Sequence, residues 1–197
     1  MTGSRVSTIQ RKTSETDITI ELQLDGEGIS DISTGVGFFD HMLTHIARHG
    51  LLNLKARAKG DLEIDDHHTV EDVGIAFGLA LAKALGDKSG IRRVGNIIVP
   101  MDEALVLCAI DISGRGFLAS DLQLPTPRLG DYTTELTPEF FRALAMNAGW
   151  TIHLKQMSGV NTHHIIEAAF KAFGRAMAAA VEQDSRVKSV PSTKGTL

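Results

Sequence analysis

The 197-residue sequence has little cysteine, no long apolar segment and no excess of basic residues. Its single Cys108 excludes an internal disulfide framework and is typical of a reducing compartment, and its apolar surroundings predict a core position. No uninterrupted apolar run approaches the roughly 18 residues of a membrane span, and the N-terminal residues lack a signal-peptide core. We therefore expect a cytoplasmic protein that does not cross a membrane.

The charge balance excludes a further class of function, non-specific nucleic-acid binding. The formal net charge is −4, whereas non-specific nucleic-acid binding requires a basic face, so we expect no nucleic-acid partner. A local basic pocket for a small anion remains compatible with this charge. Hydrophobic residues at 43% and charged residues at 22% are typical of a globular protein. A chain of this length buries about 70% of its unfolded surface, as one domain or as two small halves.

Several catalytic motifs are also missing. The sequence has no Walker loop and no Ser or Cys nucleophile motif, and Gly35-Val36-Gly37 lacks the third glycine of a dinucleotide-binding fingerprint. The His-Glu-x-x-His motif of zinc peptidases is absent as well. The chemistry must therefore come from the abundant imidazole and carboxylate groups.

Two copies of one motif, His-His-x-x-Glu, stand out. On a helix His67 and Glu71, four residues apart, lie on one face, while the adjacent histidines point about 100° apart. This favours two metals, or one metal per histidine completed by another segment. The second copy is His163-His164-x-x-Glu167. The residue types suit several transition metals, with carboxylate favouring harder ions such as manganese. The alternative is two ordinary helix starts, capped by Asp66 and Thr162.

A third group of histidines follows one predicted helix. His41, His45 and His49 recur at every fourth position of the segment 38–50, so they form a stripe along one side. Such a stripe is usually solvated or core-lining. The share of the chain's eight histidines in this stripe instead favours a site role for His41 or His49.

Hydrophobic periodicity predicts the same order of elements twice. The predicted strands are 6–10, 17–24, 29–33, 51–62, 93–98, 104–112, 117–124 and 150–155, and the predicted helices are 38–50, 67–85, one beginning at Thr137-Pro138, and one from 163 to about 182. We predict one α+β domain over 1–197, made of pseudo-repeats at about 5–88 and 91–185 with a C-terminal tail, 186–197.

Basic and hydroxyl side chains suggest an anion site. Arg93 and Arg115 lie near the ends of predicted strands and could clamp an anion, although surface arginines are the usual case. The tail contains Ser192, Thr193 and Lys194, which could cradle a phosphate or belong to a frayed terminus.

Together, these motifs resemble the signatures of the imidazoleglycerol-phosphate dehydratase family along nearly the whole chain. The matching segments are 37–43 with His49-Gly50, 65–72, 101–104, 111–115, 163–172 and 191–195. The combination is highly specific, although no single segment would be.

The resemblance implies a hydro-lyase of histidine biosynthesis that converts imidazoleglycerol phosphate to imidazole acetol phosphate. It implies two Mn²⁺ ions per active site and two duplicated βαβ-containing halves, each a mixed sheet with two helices packed on one face. It also implies a shell of 24 subunits whose active sites are shared between neighbours. Two other functions remain: a manganese-dependent phosphate-ester hydrolase and a metal-binding shell protein.

The resemblance further implies residue roles, carried over by position. The implied metal ligands are His41, His67, His68, Glu71, Glu139, His163, His164 and Glu167. Glu139 stands where many members have a histidine, and the alternative is a first-turn acid that stabilises the helix dipole. The implied substrate contacts are Glu15, the histidines and glutamates of the two repeated motifs, His41, His45, His49, Arg93, Arg115, Lys171, Ser192, Thr193 and Lys194. Glu15, Glu71 and Glu167 are the catalytic candidates, with proton transfer assigned to Glu15 or Glu167.

Overall fold

The computed structural model describes residues 4–195. Its helices are α1 Gly37–Gly50, α2 His67–Leu85, α3 Leu136–Ala148 and α4 Thr162–Val181. Its strands are β1 Val6–Lys12, β2 Thr16–Gln23, β3 Ser30–Ser33, β4 Asn53–Gly60, β5 Val94–Met101, β6 Ala104–Asp111, β7 Phe117–Ser120, β8 Arg128–Leu129, β9 Tyr132–Thr133 and β10 Thr151–Ser158.

The first half forms a four-stranded mixed sheet in the order β1-β2-β4-β3. β3 pairs with β4 in parallel through α1, while the other pairs are antiparallel. Alternation explains its buried face, because Ile18, Ile20 and Leu22 of β2 point inward between exposed or half-buried neighbours.

The second half repeats this topology as β5-β6-β10-β7, again with one parallel pair, β7 with β10. Val106, Cys108 and Ile110 form its buried face, so the expected core position of the cysteine is confirmed. The repeated mixed sheets with helices confirm the predicted α+β fold class.

The helices of the two halves pack against each other. α2 lies on the first sheet and α4 on the second, while α1 contacts α4 and α3 contacts α2. Glycines allow the close approach: a Cβ at Gly74 would lie 2.7 Å from the Phe140 carbonyl oxygen, and one at Gly78 would lie 2.6 Å from that of Leu144. Each close helix pair therefore combines one helix from each half.

Local structure differs from the sequence expectation at two places. The expected loop around Gly130 contains the short ribbon β8–β9, which Asp66 clamps by accepting bonds from the backbone N–H and hydroxyl of Thr133. Asp66 therefore makes no side-chain cap on α2. Thr162 is the first residue of α4, and Asn161 caps that helix by accepting from the N–H groups of His163 and His164. Asp66 thus occupies the expected N-cap position without making the capping bond, because Thr133 engages its carboxylate. The expected cap at Thr162 was wrong, because the residue before it caps α4.

None of the helices within residues 4–195 combines the length and apolar character that crossing a membrane requires.

Candidate functional site

The first cluster lies where α1 meets α4. His41 and His45, one turn apart on α1, approach each other with 3.2 Å between their Nε2 atoms. Both face Glu167 on α4, at 3.6 and 3.5 Å from its carboxylate oxygens. His163, one turn before Glu167, lies 3.2 Å from the same carboxylate. The helical spacing of both sequence patterns thus converges on one buried carboxylate.

The electrostatics of this cluster suit a cation. Burial lowers the pKa of His45 to about 4, so its ring is neutral near pH 7 and offers a lone pair. Burial raises the pKa of the Glu167 carboxyl, but the hydrogen bond from Lys171 and the imidazoles beside it lower that pKa to about 2. Glu167 is therefore an anion, and Lys171 approaches its Oε1 to 2.5 Å.

The spacing of the donors fits a metal ion. Two ligand atoms that each lie about 2.1 Å from one ion are roughly 3 Å apart, close to the separations within this cluster. Within residues 4–195, His41, His45 and Glu167 are the trio whose ligand atoms all lie within 4.8 Å of one another. Imidazole and carboxylate donors without thiolates suit manganese among other ions.

The second cluster lies where α2 meets α3. His67 Nε2 is 3.8 Å from Glu71, as the spacing of four predicts. Arg142 of α3 links α3 to α2, because its guanidinium lies 3.5 Å from Glu71 of α2 and also pairs with Glu139 of α3. Glu139 and Glu71 thus both face the guanidinium of Arg142. This second cluster contains fewer imidazole side chains than the cluster around Glu167.

The second histidine of each motif is held differently. His68 Nδ1 lies 2.9 Å from Asp61, and His164 Nδ1 lies 2.7 Å from Glu103. These hydrogen bonds raise the pKa of each histidine, and that of His164 lowers the pKa of Glu103 to about 2. Both Nε2 atoms face outward from these contacts.

A further carboxylate lies near each of those Nε2 atoms. Glu15, in the β1–β2 turn, is 3.9 Å from His68 Nε2. Asp102, in the corresponding β5–β6 turn, is 3.8 Å from His164 Nε2. The repeat therefore extends from the fold to the surroundings of these histidines.

Arg93 and the C-terminal tail, two of the predicted anion-binding segments, meet at a different place. Arg93, just before β5, makes a bidentate pair with Asp111 and donates to the carbonyl of Pro191. Since Pro191 directly precedes Ser192, Thr193 and Lys194, this contact joins that part of the tail to Arg93. Arg115 donates to the carbonyl oxygen of Ser113, two residues after Asp111 in the chain.

Lys171 lies at the other end of that sheet. Its ammonium contacts Met101, the last residue of β5, while Arg93 precedes the first. Seven steps of about 3.3 Å separate the ends of this strand by roughly 23 Å. Within one chain, a single phosphate cannot contact both Lys171 and Arg93.

Sequence reasoning missed part of this arrangement. His45, which was expected to contact substrate, also belongs to the trio of candidate metal ligands, a role that the sequence did not suggest. His49 lies one turn further, with its ring centroid 5.7 Å from that of His45. The sequence also did not indicate that Asp61 contacts His68, that Glu103 contacts His164 or that Arg142 contacts Glu71. These contacts depend on the tertiary structure. Only the nearness of Asp61 to His68 in the chain could have indicated one of them.

Comparison with known proteins gives consistent results. The family model described as imidazoleglycerol-phosphate dehydratase matches residues 34–177. The chain is 61% identical over 189 residues to the imidazoleglycerol-phosphate dehydratase of Acetivibrio thermocellus, covering 96% of this chain and 97% of that protein. It is 58% identical over 194 residues to that of Desulforamulus reducens, covering 98% and 99%.

Solved structures resemble the whole architecture. The crystal structure of imidazoleglycerol-phosphate dehydratase from Staphylococcus aureus is 41% identical, with a TM-score of 0.83 over 91% of this chain and 99% of that one. The structure from Pyrococcus furiosus in complex with (S)-C348 is 39% identical, with a TM-score of 0.84 over 96% and 100%.

Proposed function

The chain belongs to the imidazoleglycerol-phosphate dehydratase family, and we propose that its histidine-rich helix ends hold two Mn²⁺ ions with which it dehydrates imidazoleglycerol phosphate. As a member of this family it is a hydro-lyase of histidine biosynthesis, which yields imidazole acetol phosphate. The convergence of His41, His45 and His163 on the buried Glu167 is the observation that carries the metal proposal.

The ligands of the two ions would come from both repeated motifs. The proposed set is His41, His67, His68, Glu71, Glu139, His163, His164 and Glu167, to which the geometry adds His45. The bound metals would act as Lewis acids on the substrate's imidazole, making the loss of water and of an otherwise non-acidic proton feasible. Glu139 is the least secured ligand, because Arg142 already pairs with it.

Among the carboxylates we assign proton transfer to Glu15. Glu167 is buried, holds Lys171 and has a pKa of about 2, so it is a weak base. Glu71 shares Arg142 with Glu139. Glu15 is half exposed and lies 3.9 Å from His68 Nε2, so it can approach a substrate bound next to that ring.

The phosphate would be bound by the charged and hydroxyl groups of both ends of the second sheet. These are Arg93, Arg115, Lys171, Ser192, Thr193 and Lys194. Because Lys171 and Arg93 are too far apart within one chain, we propose that each site combines residues of neighbouring subunits. A closed assembly of 24 subunits meets this need, and histidine biosynthesis together with the buried cysteine suits a cytoplasmic location. We further propose that the pseudo-repeats 5–88 and 91–185 derive from a duplication.

One assay tests the function against its alternatives. Purified protein is loaded with Mn²⁺ and incubated with imidazoleglycerol phosphate, while ketone absorbance and free phosphate are followed. Ketone without phosphate release is the expected result. Phosphate release would indicate a phosphate-ester hydrolase, and metal binding without turnover would indicate a metal-binding shell protein.

A further inference from the structure

Asp61 and Glu103 make equivalent contacts in the two halves of the chain. Each places a carboxylate oxygen at hydrogen-bond distance, 2.9 or 2.7 Å, from the Nδ1 atom of the second histidine in a repeated motif. They come from different loops, since Asp61 follows β4 and Glu103 lies in the β5–β6 turn. The same contact thus arises from two unrelated sequence positions, which points to a shared requirement of the two histidines.

The chemical effect of this contact is on the tautomer of the ring. An ionised carboxylate only accepts hydrogen bonds, so in the neutral ring Nδ1 carries the proton and Nε2 keeps its lone pair. A metal ligand needs this lone pair, and outer carboxylates commonly fix the orientation of ligating histidines in this way. His68 and His164 are therefore preset to bind an ion through Nε2.

Glu103 is itself held firmly. Its Oε1 accepts hydrogen bonds from the backbone N–H groups of Val160 and Asn161, while Oε2 faces His164. Asn161 in turn caps α4 at His163 and His164. The other oxygen of Asp61 is buried and has no hydrogen-bond partner among the described residues, so Asp61 is held mainly through His68.

We propose that Asp61 and Glu103 are positioning residues, which fix the Nδ1-protonated tautomer and the ring orientation of His68 and His164 for metal binding. The proposal rests on the metal sites of the proposed function. It assigns neither residue a contact with the metal or the substrate.

The different surroundings of the two carboxylates give a sharp test with amide variants. In Glu103→Gln the two backbone donors keep the amide oxygen at the Oε1 position, so the NH₂ group faces His164 and donates to Nδ1. The ring proton of His164 then lies on Nε2, where it opposes metal binding. The hydrogen bonds from Val160 and Asn161 to residue 103 are retained, so any structural role of this side chain is preserved. In Asp61→Asn no such donor is present, so the amide oxygen can turn to His68 and preserve the tautomer.

The measurement is Mn²⁺ affinity of the full-length, assembled protein, from the electron paramagnetic resonance signal of the free ion. We expect Glu103→Gln and Asp61→Ala to weaken binding by about 10- to 100-fold, the usual effect of removing such a partner. Asp61→Asn and the control Glu63→Ala, an exposed carboxylate of the same loop, should bind like the parent protein. Thermal unfolding of the metal-free proteins verifies that Glu103→Gln is folded.

Two results would overturn the proposal while leaving the metal sites intact: parent-like affinity in Glu103→Gln and Asp61→Ala, or equal losses in Asp61→Asn and Asp61→Ala. If the parent protein itself bound no Mn²⁺, the proposed function would fail, and this inference with it.

Discussion

The separation of Lys171 from Arg93 and the tail predicts that two impaired variants restore each other's activity in a mixed assembly. Lys171→Met removes an ammonium group at the metal-cluster end of the second sheet. Lys194→Met removes one from the tail, which meets Arg93 through Pro191 at the opposite end, roughly 23 Å away along β5. If both ammonium groups bind the same phosphate, they must come from different subunits. Each variant then lacks one part of every site, but a mixed assembly contains some complete sites.

The expected magnitudes follow from the contacts. A hydrogen bond to a charged group contributes about 1.5–3 kcal/mol, so each single variant should lose about 10- to 150-fold in kcat/KM. In a randomly mixed 1:1 assembly, about half of the sites receive an intact Lys171, and about half of those also receive an intact Lys194 from the neighbour. About one quarter of the sites are then complete, and activity should rise to about a quarter of the parent value.

The assay dissociates and reassembles the two purified variants together, with native mass spectrometry to verify mixing. Each variant taken through the same procedure alone is the matched control. If verified mixed assemblies show only the mean of the two single-variant activities, the shared phosphate site is wrong.

Three further outcomes follow. Glu15→Gln should lower kcat while Mn²⁺ content stays unchanged, and unchanged kcat would exclude Glu15 as the proton acceptor. Gly74→Ala should lower the free energy of unfolding by about 1–3 kcal/mol, because its Cβ would press on the Phe140 carbonyl; equal stability in urea would contradict this packing. The hydrogen bond from Lys155 lowers the pKa of Asp121, so its stabilisation is present above pH about 4 and lost as pH falls below it. The melting-temperature difference between parent and Asp121→Asn should therefore be larger at pH 6 than at pH 3, and a constant difference would oppose it.

Regular structure was largely predictable because most of the longer elements have a strong local pattern. The alternation of Ile18, Ile20 and Leu22 predicted β2 to within one residue at each end, and the apolar stripe after His67 predicted α2. The β8–β9 ribbon was not predictable in this way. Its two-residue strands are too short for a period, and Asp66, from a distant segment, holds Thr133 in place.

The candidate site was predictable only where its partners lie on one helix. Spacing alone predicts that His67 meets Glu71 and that His163 meets Glu167, and the structure agrees. Nothing in the local sequence indicates that His41 of the first half meets Glu167 of the second, because that contact depends on how α1 crosses α4. Likewise, the pairing of Lys171 with Glu167 follows from their spacing of four residues on one helix, but the distance between Lys171 and Arg93 does not follow from the sequence.

The packing of helices across the two halves has a chemical consequence. If each half packed its own two helices together, the two clusters would be free to diverge independently. Here α1 faces α4 and α3 faces α2, so each candidate cluster combines side chains from both halves. The clusters nevertheless differ, because His41 and His45 face Glu167 in one, while Glu139 and Arg142 face Glu71 in the other. A metal that binds Glu71 must compete with the guanidinium of Arg142, whereas one that binds Glu167 competes with the ammonium of Lys171. Within residues 4–195, one imidazole, that of His67, lies beside Glu71, whereas those of His41, His45 and His163 surround Glu167, so the α2–α3 cluster is expected to be the weaker of the two metal sites.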